Sequence, residues 1–140
     1  MLPEIVINGG AIVAFAVLYV VLGFAWYAPA LFGKVWARGL GKTEEDMKRM
    51  MKEGAVKGII WSLVQGLVMG FVLRHAIAYA AVRTIPLGLF VSFWNWLGFV
   101  AMIQLNSVIY EKKPWPYYFA NVGYYLVVFL VGGAILTAWV

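Results

Sequence analysis

Few side chains in this sequence could carry out covalent or acid–base chemistry. Cysteine is absent and His75 is the single histidine, so no thiolate or imidazole pair could bind a metal. Ser62, Ser92 and Ser107 have no base at an activating spacing, and no glycine-rich phosphate loop is present. We therefore expect no enzyme activity, no cofactor and no metal. His75 and its neighbour Arg74 are expected to reach toward a membrane surface.

Amide side chains interrupt the apolar runs and are the candidates for a polar site. Asn95 and Asn106 are separated by 11 residues, almost three helical turns, and are expected on one face with Gly98 and Met102. Such amides either hydrogen-bond between helices, at about 0.6 kcal/mol each, or line a polar cavity. We favour the hydrogen bonds. No acidic residue lies within the apolar runs, which argues against a carboxylate relay for protons or cations. The candidates are Gln65, Asn95, Gln104, Asn106 and Asn121.

Small residues recur at every fourth position in the second apolar run. Because glycine has no side chain, such a row lets two helix backbones approach closely, and in lipid this packing drives helix association. We predict that the row is a helix–helix seam, either within one chain or between subunits. The row comprises Gly54, Gly58, Ser62, Gly66 and Gly70.

Aromatic and basic side chains cluster where the first apolar run ends, in the stretch GFAWYAPALFGKVWARGLGKTEEDM at 23–47. Amphipathic rings and lysines of this kind favour the membrane–water interface. We predict an inner-interface collar, which either contacts anionic lipid or only sets helix tilt. Its members are Trp26, Tyr27, Lys34, Trp36 and Trp115.

The elements that position these residues follow from composition and periodicity. Hydrophobic residues make up 64% of the 140 positions and charged residues 12%, a balance that only a lipid environment accommodates. The backbone must satisfy its own hydrogen bonds in lipid, so each apolar run is expected to be a helix. The predicted fold is all-α, a polytopic integral membrane protein forming a single domain. Its transmembrane spans are predicted at about 5–27, 57–79, 86–110 and 117–140.

A short amphipathic helix is predicted at about 43–54. Thr43 is its expected N-cap, with Asp46 at the third helical position, and acidic residues occupy the first turn. Met47, Met50 and Met51 share one face, while basic residues occupy the other. We expect this helix to lie on the inner membrane surface.

The distribution of basic residues predicts the orientation. Nine of the eleven Lys and Arg residues lie in or beside loops 28–56 and 111–116, and the other two are Arg74 and Arg83. Positively charged loops remain in the cytoplasm, so both termini are expected outside. The same clustering in a loop accounts for the net charge of +5 without nucleic acid.

Three blocks carry a family resemblance. They are the stretch at 23–47 with Trp26-Tyr27-x-Pro29, the block WLGFVAMIQLNSVIYEKKPW at 96–115, and the block NVGYYLVVFLVGGAILTAW at 121–139. Together they resemble the prokaryotic family named "domain of unknown function 1761". The resemblance implies a small polytopic protein of the prokaryotic inner membrane and supplies no activity. Tyr125 stands where members of that family sometimes have histidine, which weakens any proton-carrier or metal role there.

Two functions from different classes remain open on the sequence alone. In the first, which we slightly favour, the chain is an oligomeric channel or transporter-like protein for a small solute. In the second, it is an accessory or lipid-interacting scaffold protein without transport activity. Both require membrane lipid as a partner, and a homo-oligomer is expected because small four-helix chains often need neighbours to enclose a path. The small-molecule ligand is not identified by any motif.

Overall fold

The computed structural model describes residues 4–140, which are all-helical apart from turns and connections. Four of the helices are long and apolar enough to cross a membrane, which confirms the predicted fold class. We number the helices in chain order as α1 (Gly9–Trp26), α2 (Gly33–Gly39), α3 (Glu44–Tyr79), α4 (Ile85–Ile109) and α5 (Trp115–Ala138).

Short-range chemistry accounts for where the long helices begin. Asn8 caps α1, because its Oδ1 accepts hydrogen bonds from the backbone N–H groups of Gly10 and Ala11. Proline occupies the first turn of both α4 and α5, where its missing N–H leaves no hydrogen bond unmade. The predicted start of the third span at Pro86 agrees with this arrangement.

Helix α3 corrects one predicted boundary. The segment 43–54, predicted as a separate interfacial helix, is continuous with the second span, predicted at 57–79. No proline intervenes, and a single glycine at 54 costs only about 1 kcal/mol in a helix interior. The 36 residues of α3 extend about 54 Å at 1.5 Å per residue. This length exceeds the hydrocarbon thickness of about 30 Å, so part of α3 extends beyond the apolar layer.

The N-terminus of α3 is capped as the sequence predicts. The Thr43 hydroxyl accepts from the Asp46 N–H at 3.1 Å, and the Asp46 carboxylate accepts from the Thr43 N–H at 3.0 Å. This reciprocal pair forms a capping box. The hydrogen bond from the Thr43 N–H lowers the pKa of Asp46 below its usual range, with Arg49 as a smaller contributor.

Helix α4 contains a π-helical turn at Leu97–Ala101. A π turn takes up one extra residue, so side chains beyond it are rotated by about 100° relative to a regular helix. The predicted common face of Asn95 and Asn106 is therefore wrong. Asn95 is half-buried, whereas Asn106 is exposed.

Helix α5 lies at the centre of the bundle and contacts each of the other helices. The end of the bundle near the N-terminus of α1 has a dense apolar core in which Phe15, Ile77 and Leu136 are fully buried. Phe15 lies between two glycines, Gly70 on α3 and Gly132 on α5. Glycine on both sides allows three helices to approach around one ring.

Aromatic side chains also join neighbouring helices by donating hydrogen bonds to backbone carbonyls. Each bond uses the polar atom of a ring whose body is buried or half-buried in the bundle. The donors and acceptors are Trp26 Nε1 to Ala120 O at 2.9 Å, Trp96 Nε1 to Val122 O at 2.8 Å, and Tyr118 OH to Ala101 O at 2.9 Å.

The structure also corrects the expectation that Arg74 reaches toward the membrane surface. Its side chain is only 8% exposed. Nε donates to the carbonyl of Val6 at 3.1 Å and Nη1 to the carbonyl of Leu136 at 3.4 Å. Leu136 lies in the last turn of α5, where carbonyls have no partner within the helix. Arg74 therefore ties the segment before α1 to the end of α5.

Candidate functional site

A cavity of about 520 Å³ lies between the five helices at the end of the bundle that carries α2. This volume falls within the range of ligand sites, about 300–1,000 Å³. Its walls are mainly apolar, and hydroxyl and amide groups from α1, α3, α4 and α5 are among the lining side chains. On α3, Gly54 and Gly58 line the cavity, and both are exposed, so the cavity is open along this helix. We call it the lateral cavity.

Tyrosines form the polar wall of the lateral cavity. Tyr19 on α1 and Tyr124 and Tyr125 on α5 have ring centroids 5.1–6.2 Å apart. The Tyr19 hydroxyl donates to Gln65 Oε1 at 3.3 Å and lies 3.3 Å from the Tyr125 hydroxyl. The Tyr124 hydroxyl donates to the backbone carbonyl of Tyr19. The hydroxyls are thus held in a hydrogen-bonded layer across the bundle.

The lateral cavity is closed at the end beyond this tyrosine layer. No residue of α1 before Tyr19 and no residue of α3 after Ser62 lines it, within residues 4–140. Directly beyond, Gly66 packs on Ala16, and a Cβ at Gly66 would lie 2.7 Å from the Ala16 Cα. Phe15 is fully buried in the next layer. The lateral cavity of a single chain is therefore closed at this end and open along α3.

The predicted small-residue row has two different environments along α3. Gly66 and Gly70 are buried against α1, where Ala16 and Phe15 fill the space that a side chain would need. In contrast, a Cβ at Gly54 or Gly58 would meet nothing within 4 Å. Ser62, between the two pairs, lines the lateral cavity. One half of the row packs within the chain, and the other half forms the open side of the cavity.

A second cavity, of about 340 Å³, lies between α2 and the first turns of α3. Most of the basic residues of α2 and the first turns of α3 line it, and we call it the basic cavity. Glu44 is the acidic residue on its wall. The basic residues that line it are Lys34, Arg38, Lys42 and Lys48.

The two cavities are adjacent. Tyr27, Met47 and Met51 line both of them. Tyr27 is held in place by a 2.7 Å hydrogen bond from its hydroxyl to Asn121 Oδ1. Its ring packs against Trp36, with a centroid distance of 5.2 Å. The apolar and aromatic lateral cavity therefore adjoins the positively charged basic cavity at these side chains.

The predicted collar residues occupy separate positions. Trp26 is directed into the bundle by its hydrogen bond to α5 and stacks on Phe32 at 4.7 Å. Tyr27 and Trp36 line the lateral cavity, and Lys34 lines the basic cavity. Trp115 is exposed and lines neither. It packs on Tyr118 and Phe119 of its own helix.

The five candidate amides are also separated. Gln104 and Asn121 line the lateral cavity, and Gln65 is bonded to Tyr19 in the tyrosine layer. Asn95 donates to the carbonyl of Val91 on its own helix at 2.9 Å. Asn106 is exposed and lines neither cavity. The sequence left two roles open for these amides, hydrogen bonding between helices and lining of a cavity. Asn121 has both, because it accepts the hydrogen bond from Tyr27 and also lines the lateral cavity.

Sequence reasoning missed the tyrosine layer. A usable signal was present, because Tyr19 and the Tyr124-Tyr125 pair lie in the interior of apolar spans rather than at their ends. A phenol hydroxyl in hydrocarbon needs a partner, so such positions predict either interhelical bonds or a polar cavity. The convergence of α1 and α5 on one site was not visible in the sequence.

Comparison with known proteins agrees with the family resemblance. The family described as "Protein of unknown function (DUF1761)" matches residues 10–137, nearly the whole chain. No curated protein and no solved structure matches the chain.

Proposed function

The chain belongs to the DUF1761 family, and we propose that it is a lipid-interacting membrane protein that binds an amphiphilic molecule in the lateral cavity. The observation that carries this proposal is the form of that cavity: a space of about 520 Å³, closed at one end and open along α3. A cavity open to the side admits a molecule from the bilayer without passage through water. In the orientation favoured by the basic loops, this opening lies in the cytoplasmic leaflet.

The blind end of the cavity favours binding over conduction. A path through one chain would have to pass the contact between Gly66 and Ala16 and then the buried ring of Phe15. Packed interiors of this kind do not admit a solute without rearrangement of helices.

A transporter-like role is the second candidate, and the polar wall of the cavity favours it. Gln104, Asn121 and the tyrosine hydroxyls could replace part of a solute's hydration shell. Transport would require the layer at Tyr19 to open, with a second access on the outer side. Lipid binding needs no such rearrangement, so it is the simpler function for the geometry.

Filling the cavity tests the proposal. Gly58→Leu places four carbons in the lateral cavity, where no neighbouring atom lies within 4 Å of the new Cβ. The fold should persist, and helix α3 gains up to about 1 kcal/mol of propensity. We expect a loss of at least tenfold in lipid retained by the purified protein, measured by native mass spectrometry with added phosphatidylglycerol and phosphatidylcholine.

Gly98→Leu is the matched control. Gly98 also has nothing within 4 Å of a Cβ, and it lines neither cavity. This variant should retain lipid as the parent protein does. Parent-level retention in Gly58→Leu would show that the lateral cavity is not the binding site.

A further inference from the structure

We propose that the bound amphiphile is an anionic phospholipid of the surrounding bilayer, with its headgroup phosphate in the basic cavity and an acyl chain in the lateral cavity. This inference rests on the proposed function and adds the charge and placement of the ligand. It follows from three features: the adjacency of the two cavities, the charge of one, and the apolar, open form of the other.

The adjacency is direct. Tyr27, Met47 and Met51 belong to the linings of both cavities, so we place one lipid across these side chains, with its acyl chain on one side and its headgroup on the other. Methionine is flexible and polarisable, and it packs against chains of irregular shape. The apolar side of this wall suits an acyl chain, and the basic residues lie on the side of α2.

The charge of the basic cavity is not compensated by ion pairs. Its four basic residues face a single acidic wall residue, Glu44. Among residues 4–140, the one salt bridge joins Arg49 to Asp46 at 2.8 Å, and neither residue lines the cavity. Lys34, Arg38 and Lys48 are exposed and have no carboxylate partner within 4.0 Å. A phosphate would supply the missing counter-charge and accept their hydrogen bonds.

The local backbone holds these cations on one side. Lys34 and Arg38 are separated by one helical turn of α2 and therefore share a face. Gly33 precedes them where the chain turns back on α1, and its N–H donates to the carbonyl of Ala28 at 3.1 Å. A Cβ at Gly33 would lie 2.5 Å from the carbonyl oxygen of Tyr27, so only glycine fits there. The turn thus places α2, with both of its cations, beside the end of α1.

The open side of the lateral cavity is where we place the acyl chain. Helix α3 is exposed at every residue from 48 to 61. Gly54 and Gly58 leave a groove along this face, since a Cβ at either position would meet nothing within 4 Å. An acyl chain from the bilayer can lie in this groove while its headgroup remains at the level of the basic cavity, where lysine and arginine favour anionic lipid.

Paired lysine variants in the full chain test the inference. Lys34→Gln with Lys48→Gln removes two cations that line the basic cavity, and both side chains are exposed, so the fold should persist. Lys52→Gln with Lys57→Gln removes the same charge from exposed positions that line neither cavity. Affinities for phosphatidylglycerol and phosphatidylcholine are measured by titration and native mass spectrometry.

We expect the parent to prefer phosphatidylglycerol. The Lys34/Lys48 variant should lose about 30-fold in affinity for phosphatidylglycerol, the equivalent of about 1 kcal/mol for each lysine. Its affinity for phosphatidylcholine should fall much less, because the choline cation of that lipid already offsets the charge of its phosphate. The Lys52/Lys57 variant should bind both lipids as the parent does.

Other outcomes would refute either the headgroup site or the proposed function. Equal losses in the two double variants would mean that net charge, and not the basic cavity, attracts the lipid. Equal affinity of the parent for both lipids would refute the headgroup site while leaving the proposed function standing. A parent that binds neither lipid would refute the proposed function itself. A lipid-free dimer would place a second copy of the chain on the open face of α3, and would also refute both.

Discussion

Gly66→Leu probes a close contact between the backbones of α3 and α1. A Cβ on Gly66 would lie 2.7 Å from the Cα and 3.0 Å from the Cβ of Ala16 on α1. Non-bonded carbons prefer separations of about 3.5–4.0 Å, so the first side-chain carbon alone requires a displacement of about 1 Å. The atom in the way belongs to the backbone, so no rotamer change can relieve the contact.

The expected cost follows from this geometry. Overpacking costs about 1–3 kcal/mol, and the three further carbons of leucine place Gly66→Leu near the upper value. Better helix propensity offsets up to about 1 kcal/mol of this. The net loss is therefore about 2 kcal/mol. At about 4 °C for each kcal/mol in a chain of this size, the melting temperature should fall by about 8 °C.

The assay is thermal unfolding of purified protein in detergent, followed by circular dichroism at 222 nm. Gly58→Leu is the internal control, because it makes the same substitution two turns earlier on α3, where nothing lies within 4 Å. That variant should melt at or above the temperature of the parent. If Gly66→Leu melts no lower than Gly58→Leu, then α3 does not pack on α1 as described, and the closed end of the lateral cavity is wrong as well.

Two further predictions concern orientation and pH. Reporter fusions should place the C-terminus outside and the loop containing Lys42 in the cytoplasm. The reason is that nine of the eleven basic residues lie in or beside loops 28–56 and 111–116. A cytoplasmic C-terminus would contradict this orientation. The first turn of α3 should lose amide-exchange protection between about pH 5 and pH 2, because the pKa of Asp46 is lowered, so its capping contribution is present above the usual carboxyl pKa and is lost as pH falls through the folded-state value. Unchanged protection of the Asp46 amide across this range would show that the carboxylate does not stabilise the turn.

Much of the fold was predictable because it depends on local chemistry. Apolar runs with few charges identified the four spans, and Thr43 with Asp46 identified the start of α3. The division of α3 into two helices was predicted wrongly. The sequence changes near Gly54 from amphipathic to apolar, which resembles a boundary between helices, but no residue there ends a helix. The π turn at Leu97–Ala101 was not predictable from periodicity, since a π turn arises from packing and has no distinctive local sequence.

The candidate site depended on sequence and tertiary structure in different ways. The residue types were visible in the sequence: amides and serine in apolar spans, a row of glycines, and lysines beside aromatic rings. What tertiary structure decided is which of them meet. Gly54 and Gly66 have the same chemistry and belong to the same row of small residues, yet one borders an open cavity and the other contacts Ala16. Tyr19 and Tyr125 are separated by more than a hundred positions in the chain, yet their hydroxyls lie 3.3 Å apart. Helical periodicity determines which face of a helix a residue occupies, but only the packing of α1, α3 and α5 determines whether that face meets a backbone, a tyrosine or open space.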